Sequence, residues 1–371
     1  MSASPVTRRD ALLGAGALAA CAGFKPAIAA EQRTLGALAA SKGVLFGASL
    51  MTRELDRPHG AKYAEMYTRE ARIITSDIEL KASVLRPAPD VTNWEPADSF
   101  VAFAEKHGMR MRGHTLIWND DLPKWIGGLG QGELGHFMDS HIETVMRRYA
   151  GKIDIWDVVN EPIAPWDHNE GNLRGGAYFN ALGEDYIARA FRAARTARPG
   201  AKLVINEAQM EPKTERAHTF RTSFVALLKR LRDAGAPIDA IGFQAHLRAV
   251  DAFDFPAFAA YVSSVADLGY EIHITELDVN DSGVDGSIAE RDAKVAKIYG
   301  SFLTAVLAVP AVRIVETWQL SDATTWLRDP YVVKPKDGVR PDVRPLIYDD
   351  RFEKKSAWDA VARAFEAAPI R

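Results

Sequence analysis

The stretch Ile153-Asp154-Ile155-Trp156-Asp157-Val158-Val159-Asn160-Glu161-Pro162 decides the fold. It is a short β-rich apolar run that stops on polar residues, the form of a buried parallel strand with chemistry at its C-terminal end. Working outward, seven more runs of this form lie near 44–48, 72–78, 109–114, 202–206, 240–246, 271–276 and 312–318. Helical spacing occupies the gaps, for instance at 100–107, 183–197, 219–234, 255–268 and 289–309. Eight β/α units over about 340 residues predict an α/β chain folded as a closed (β/α)8 TIM barrel, which typically uses ~250 residues plus insertions. A doubly wound open sheet is the alternative, but no glycine-rich fingerprint follows the first run. With no Ser/Gly/Pro linker and no repeat of about 20 to 50 residues, residues 31–371 read as one catalytic domain.

The other runs also end in polar residues. They finish Arg112-Gly113-His114, Asn206-Glu207, Gln244-Ala245-His246, Thr275-Glu276 and Thr317-Trp318. Any one of these could be a satisfied polar group near a loop. Together, at the same end of six strands, they mark the face where such barrels build active sites.

Composition narrows the partners. The 371 residues are 47% hydrophobic and 26% charged, with net charge −3 and no block of like charge. Nucleic acid and anionic membrane fit poorly, and no apolar run reaches the ~18 to 20 residues of a membrane span. A neutral, hydroxylated substrate fits better. Residues 1–30 read as an export signal: the pair Arg8-Arg9, a soft apolar stretch over 11–24, then Ala27-Ile28-Ala29-Ala30. The arginine pair favours the twin-arginine route, with a periplasmic or secreted destination. Cys21, the only cysteine, sits in Leu18-Ala19-Ala20-Cys21, which resembles a lipoprotein cleavage box and opens a lipid-anchored alternative. Cleavage near Ala30 removes every thiol and leaves 43 basic and 48 acidic residues.

Two glutamates stand out. Glu161 and Glu276 close runs three strands apart around an eight-strand ring, where they would face each other across its mouth. Glycoside hydrolysis needs such a pair, one acid to protonate the leaving oxygen and one carboxylate to attack or to activate water. Trp118, Trp318 and Trp326 fall at or beyond strand ends. Their flat faces suit the C–H faces of sugar rings, with the N–H as a donor; Trp94, Trp156 and Trp358 read as ordinary packing. Metal chemistry competes weakly. His136 and His141 have the wrong interval for one helix face, His107 reads as solvent-facing, and His273 and Glu276 alternate to opposite faces of a strand. His114 and His246 lack a local ligand spacing, so no metal or cofactor is expected.

Taken in order, Gly113-His114-Thr115-Leu116-Ile117-Trp118, Trp156 through Pro162, Gly242-Phe243-Gln244-Ala245-His246 and Ile274-Thr275-Glu276-Leu277-Asp278 resemble glycoside hydrolase family 10, the endo-1,4-β-xylanases. So do Thr317-Trp318 with Asp322 and Trp326, and Arg344-Pro345-Leu346-Ile347-Tyr348-Asp349. The resemblance implies a retaining mechanism on xylan or xylo-oligosaccharides, with carboxylates ~5 to 5.5 Å apart. Glu276 would be the nucleophile and Glu161 the acid/base. Asn160 and Gln244 would bond the sugar 2-hydroxyl and the nucleophile, and His246, oriented by Asp278, would keep Glu276 ionised. Lys81 and His114 would bind the glycone, with Trp318 and Trp326 closing over it. A monomer is expected.

Three departures bear on substrate. Asp77-Ile78-Glu79-Leu80-Lys81 stands where the family has Glu-Asn-Glu-Met-Lys, and Trp118-Asn119-Asp120-Asp121 where it has Trp-His-Ser-Gln. Asn206-Glu207-Ala208-Gln209 replaces Asn-Asp-Tyr-Asn, losing an aromatic platform on the leaving-group side. Losing the amide at Ile78 is worth ~1 kcal/mol if a hydroxyl is left unpaired. The alternatives are therefore a retaining β-glycosidase acting on short or decorated oligosaccharides, a noncatalytic carbohydrate-binding barrel, and a metal-dependent hydrolase that a chelator would silence.

Overall fold

Eight parallel strands follow the eight apolar runs: β1 Leu45–Leu50, β2 Ile73–Ser76, β3 Arg110–Gly113, β4 Ile155–Asn160, β5 Lys202–Glu207, β6 Ala240–Phe243, β7 Glu271–Asn280 and β8 Val312–Thr317. Each pairs with the next, and β8 returns to β1 with Leu45 opposite Ile314 and Ala48 opposite Thr317, so the sheet closes into a barrel. This computed structural model describes residues 33–371 apart from 331, 332, 335 and 336. The export-signal and Cys21 readings lie outside the described residues.

Helices Gly60–Glu70, Glu95–Lys106, Gln131–Arg148, Asp185–Ala197, Glu215–Asp233, Phe255–Ala266, Ile288–Val306 and Ser356–Ala367 run between and after the strands. Their apolar stripes explain the packing. In Asp185–Ala197, Tyr186, Ile187, Ala190, Phe191 and Ala194 are buried at helical spacing, each large side chain worth roughly 1.5 to 3 kcal/mol of burial. Local chemistry sets the helix starts. Thr214 accepts from the Ala217 N–H, and Ser287 with Glu290 forms a reciprocal capping box.

Inside the barrel, the two-residue period of a strand stacks side chains in layers. Ile73, Ile155, Val204, Ala240 and Ile314 form an aliphatic floor with Leu45 packed against it. Two residues further along the same strands the filling turns polar at Thr75, Asp157, Asn206 and Glu316, with Gly242 leaving space between them and Arg112 joining from β3. The Arg112 guanidinium donates to Asp157 (3.1 and 2.5 Å) and to Glu316 (3.2 Å), and Thr75 also donates to Glu316 (2.7 Å). All four are fully buried, which is tolerable only because each charge is paired and hydrogen-bonded. This ionic layer is the platform under the mouth. Gly242 is required beside it, since a Cβ there would lie 2.2 Å from Asn206 Oδ1.

Several strand ends differ from the sequence reading. The run at 72–78 stops being strand at Ser76, and the one at 271–276 continues to Asn280. The run at 240–246 breaks after Phe243 because Ala245 takes φ 61°, and extended pairing resumes at His246–Arg248 against β7. A side chain with Cβ is strained in that region. The break turns His246 back over the mouth.

Candidate active site

The mouth holds a cleft of about 600 Å3. Lys81, His114, Trp118, Asn160, Glu161, Gln244, His246, Glu276, Trp318 and Trp326 all line it. Asp278 lies just behind, accepting from His246 Nδ1 at 2.9 Å and from the Trp326 indole at 2.7 Å. Ten positions scattered over 245 residues of chain are thus brought together, and Asp278 holds two of them, His246 and Trp326.

Glu276 is almost wholly buried, with 5% of its side chain exposed. Asn206 Nδ2 reaches its Oε1 at 2.7 Å, and His246 Nε2 lies 3.1 Å from Oε2. Burial alone would push this carboxyl up. The His246 hydrogen bond, with positive charge at His114, His246 and Arg112, outweighs burial and holds it down at about 2. Burial likewise disfavours a charged His246, but the Asp278 carboxylate, the hydrogen bonds to Asp278 and Glu276 and the Glu276 charge raise it well above the usual imidazole range. Glu276 is therefore an ionised carboxylate clamped by an imidazolium and an amide.

Glu161 is more open, with 17% of its side chain exposed. Its backbone takes φ 52° at the end of β4, a conformation costing of order 1 to 3 kcal/mol that surrounding contacts must hold. Those contacts are Gln244 Nε2 to Oε1 at 2.9 Å, the Trp118 indole to Oε2 at 3.3 Å and Arg174 to Oε2 at 3.1 Å. Three amides link the two carboxylates: Gln244 and Asn206 both donate to Asn160 Oδ1, at 3.2 and 2.9 Å, while each also holds one glutamate. The contact with Glu276 that the resemblance assigned to Gln244 or Asn160 is made by Asn206 instead. Gln244 serves Glu161, and Asn160 is the acceptor between them.

The indoles also differ from expectation. The N–H groups of Trp118 and Trp326 are taken by Glu161 and Asp278, so these rings offer faces rather than donors. Lys81 Nζ stands 5.0 Å from the Trp118 ring and 6.0 Å from that of Trp318, while His114 is fixed through Nδ1 to Asp157 at 2.8 Å. Of the departures, Ile78 lines the cleft, whereas Asp121 is occupied by Ser83 (2.6 Å to Oγ, 3.2 Å to N). His273 bonds Glu271 at 2.8 Å, at the opposite end of β7 from the mouth. Among the described residues, no group of three or more His, Cys, Asp or Glu could hold a metal, and no helix is long and apolar enough to cross a membrane.

Two residues at the site were not singled out from sequence. Asn206 carried the available signal, a polar residue closing a strand. Arg174 carried none; it lies in the loop after β4 and donates to the Glu161 carbonyl at 2.6 Å as well as to its carboxylate.

Known proteins resemble this chain in sequence and in fold. The sequence profile of glycosyl hydrolase family 10 matches residues 34–364. Endo-1,4-beta-xylanase B of Thermotoga neapolitana is 31% identical over 312 residues, covering 83% of this chain and 85% of that protein. Among solved structures, xylanase 10B of Thermotoga petrophila in complex with xylobiose superposes with a TM-score of 0.81 at 30% identity, covering 90% of this chain and 97% of that one. Native xylanase 10B of Thermotoga maritima gives 0.80 at 30% identity, over 90% and 98%. With its closed barrel and paired glutamates, this chain belongs to glycosyl hydrolase family 10.

Proposed function

We propose that the protein is a retaining endo-1,4-β-xylanase that cleaves internal bonds of xylan or xylo-oligosaccharides by double displacement. The observation that carries this reading is the clamped, ionised Glu276 tied through three amides to the more exposed Glu161. Glu276 attacks the anomeric carbon while Glu161 gives its proton to the departing glycosidic oxygen. A covalent glycosyl-enzyme results. Glu161, now a carboxylate, takes a proton from water, the water oxygen attacks the anomeric carbon, and the sugar leaves Glu276 with net retention. In this reading Asn160 bonds the sugar 2-hydroxyl, Lys81 and His114 bind glycone hydroxyls, and Trp118, Trp318 and Trp326 pack the ring faces. The xylobiose-bound relative supports a xylo-oligosaccharide ligand.

The test is chromatography of products from polymeric xylan, linear xylo-oligosaccharides and cello-oligosaccharides, with Glu276→Ala in parallel. Short xylo-oligosaccharides from the polymer, absent with the variant, are expected. Activity unchanged in Glu276→Ala would refute the assignment. A second reading keeps the mechanism but restricts the substrate to short or decorated chains. It is favoured by Ile78 in the cleft and by Asp121 bound to Ser83, and predicts products from oligosaccharides alone. Export by the twin-arginine route, as a free monomer or as a Cys21-anchored lipoprotein, rests on Arg8-Arg9 and the sequence around Cys21 and Ala30; mass spectrometry of the mature N-terminus distinguishes the two.

A further inference from the structure

On the xylanase reading the glycone-binding side chains stand on the loops after β2, β3 and β8, and Glu161 directly follows β4. An acid that protonates the leaving oxygen must border the leaving group, so on the xylanase reading the departing sugars lie toward the loop after β4, which carries Glu161. The resembled family's tyrosine position is Ala208, small and buried. Next to the cleft, sharing Arg174 with Glu161, lies a separate groove of about 440 Å3, whose lining includes Asp120, Trp166, Asp167, Asn169, Arg174 and Asn180. Trp166 is 44% exposed, one of few large apolar side chains left in solvent among the described residues.

We infer that Trp166 is the aromatic platform for a sugar of the leaving-group chain, in the groove that opens beside Glu161. The inference rests on the xylanase reading and names a part of the substrate site which that reading leaves unassigned. Arg174 joins groove to cleft: its guanidinium bonds Glu161 Oε2 (3.1 Å) and Asp120 (2.8 Å), and its Cζ is 5.6 Å from the Trp166 ring centroid. The indole therefore stands one guanidinium away from the acid. It is held in place by a built turn. Pro165–Asp167 is a single 3-10 turn, closed by Ala164 N to Asn172 O at 2.8 Å and by Gly175 N to Asp167 Oδ2 at 2.8 Å. The ring rests against Phe220, with Arg216 Cζ 4.6 Å from its centroid. A fixed, half-exposed ring in a groove lined by carboxylate and amide groups matches a pyranose, which has an apolar face and a hydroxylated edge.

The experiment compares Trp166→Ala, Trp166→Phe and the parent enzyme on two substrates that both present a xylosyl glycone but differ in the leaving group. One is xylohexaose, which fills leaving-group subsites; the other is nitrophenyl β-xylobioside, whose leaving group is a single ring. The ratio of kcat/KM for xylohexaose over that for the aryl glycoside is expected to fall about 5- to 30-fold in Trp166→Ala, through KM, and to recover largely in Trp166→Phe. Cleavage of xylohexaose should also shift position along the chain. An unchanged ratio, including an equal fall on both substrates as a purely structural role would give, overturns the inference. A parent enzyme inactive on both substrates overturns the xylanase reading, and the inference with it.

Discussion

Glu211 is a buried carboxyl that the proposed chemistry does not use, and its replacement should change how stability depends on pH. Its Oε1 accepts from Ala245 N at 3.1 Å, so it supports the left-handed residue that turns His246 over the mouth. Burial raises it to about 7, against smaller downward pulls from backbone N–H groups and from the His246 charge. The folded state thus holds this proton more tightly than the unfolded chain, where a glutamate titrates near ~4.3. Its contribution is fully present below that value and is lost as pH rises through about 7. At 1.36 kcal/mol per unit, the parent should lose about 2 to 3 kcal/mol between pH 5 and pH 8 that Glu211→Gln does not. The buried amide adds a pH-independent offset of ~1 to 3 kcal/mol if its N–H2 finds no acceptor, so the difference between pH values is the diagnostic. For a barrel of this size the melting-temperature difference, Gln minus Glu, should rise by roughly 3 to 4 °C from pH 5 to pH 8. Thermal unfolding at pH 5, 6, 7 and 8 measures it. A difference that stays level, or falls with pH, refutes the reasoning.

Two other perturbations follow from the buried charges. His246→Gln removes the strongest influence lowering Glu276, so the nucleophile protonates at higher pH and the acid limb of kcat/KM should move up by about one unit or more; an unmoved limb would show that His246 does not set it. Arg112→Met leaves Glu316 buried without its cation and Asp157 with its His114 contact in place of the guanidinium, at an expected cost of about 3 to 5 kcal/mol, measurable as a large drop in denaturation midpoint at neutral pH. A variant as stable as the parent would mean that the ionic layer is replaceable by packing.

The strand ends show where local reading stops. The run 240–246 is apolar enough to read as one strand, but the break at Ala245 answers a demand from elsewhere, the pairing of His246 with Asp278 on β7. Asp121 stands at a position that suggested an altered sugar contact, yet Ser83, far back in the chain, occupies it. Arg174 has no periodic or strand-end signature at all, and it reaches Glu161 only because the loop after β4 folds back on itself. Trp166 lies in that same loop, where composition alone cannot separate a packed indole from an exposed one.

What the amino-acid sequence determined by itself was the alternation of apolar runs with helical patterns, the polar residues closing those runs, and a pair of glutamates three strands apart. These are local properties, because strand and helix periods are set by backbone geometry within a few residues. Closure of the sheet then stacked an aliphatic floor, an ionic layer and a mouth from residues two apart on each strand. Which amide reached which carboxylate was decided only there: Asn206 rather than Gln244 holds Glu276, because barrel closure and the left-handed residues at 161 and 245 set the final angstroms between strands. No spacing along the chain encodes those distances.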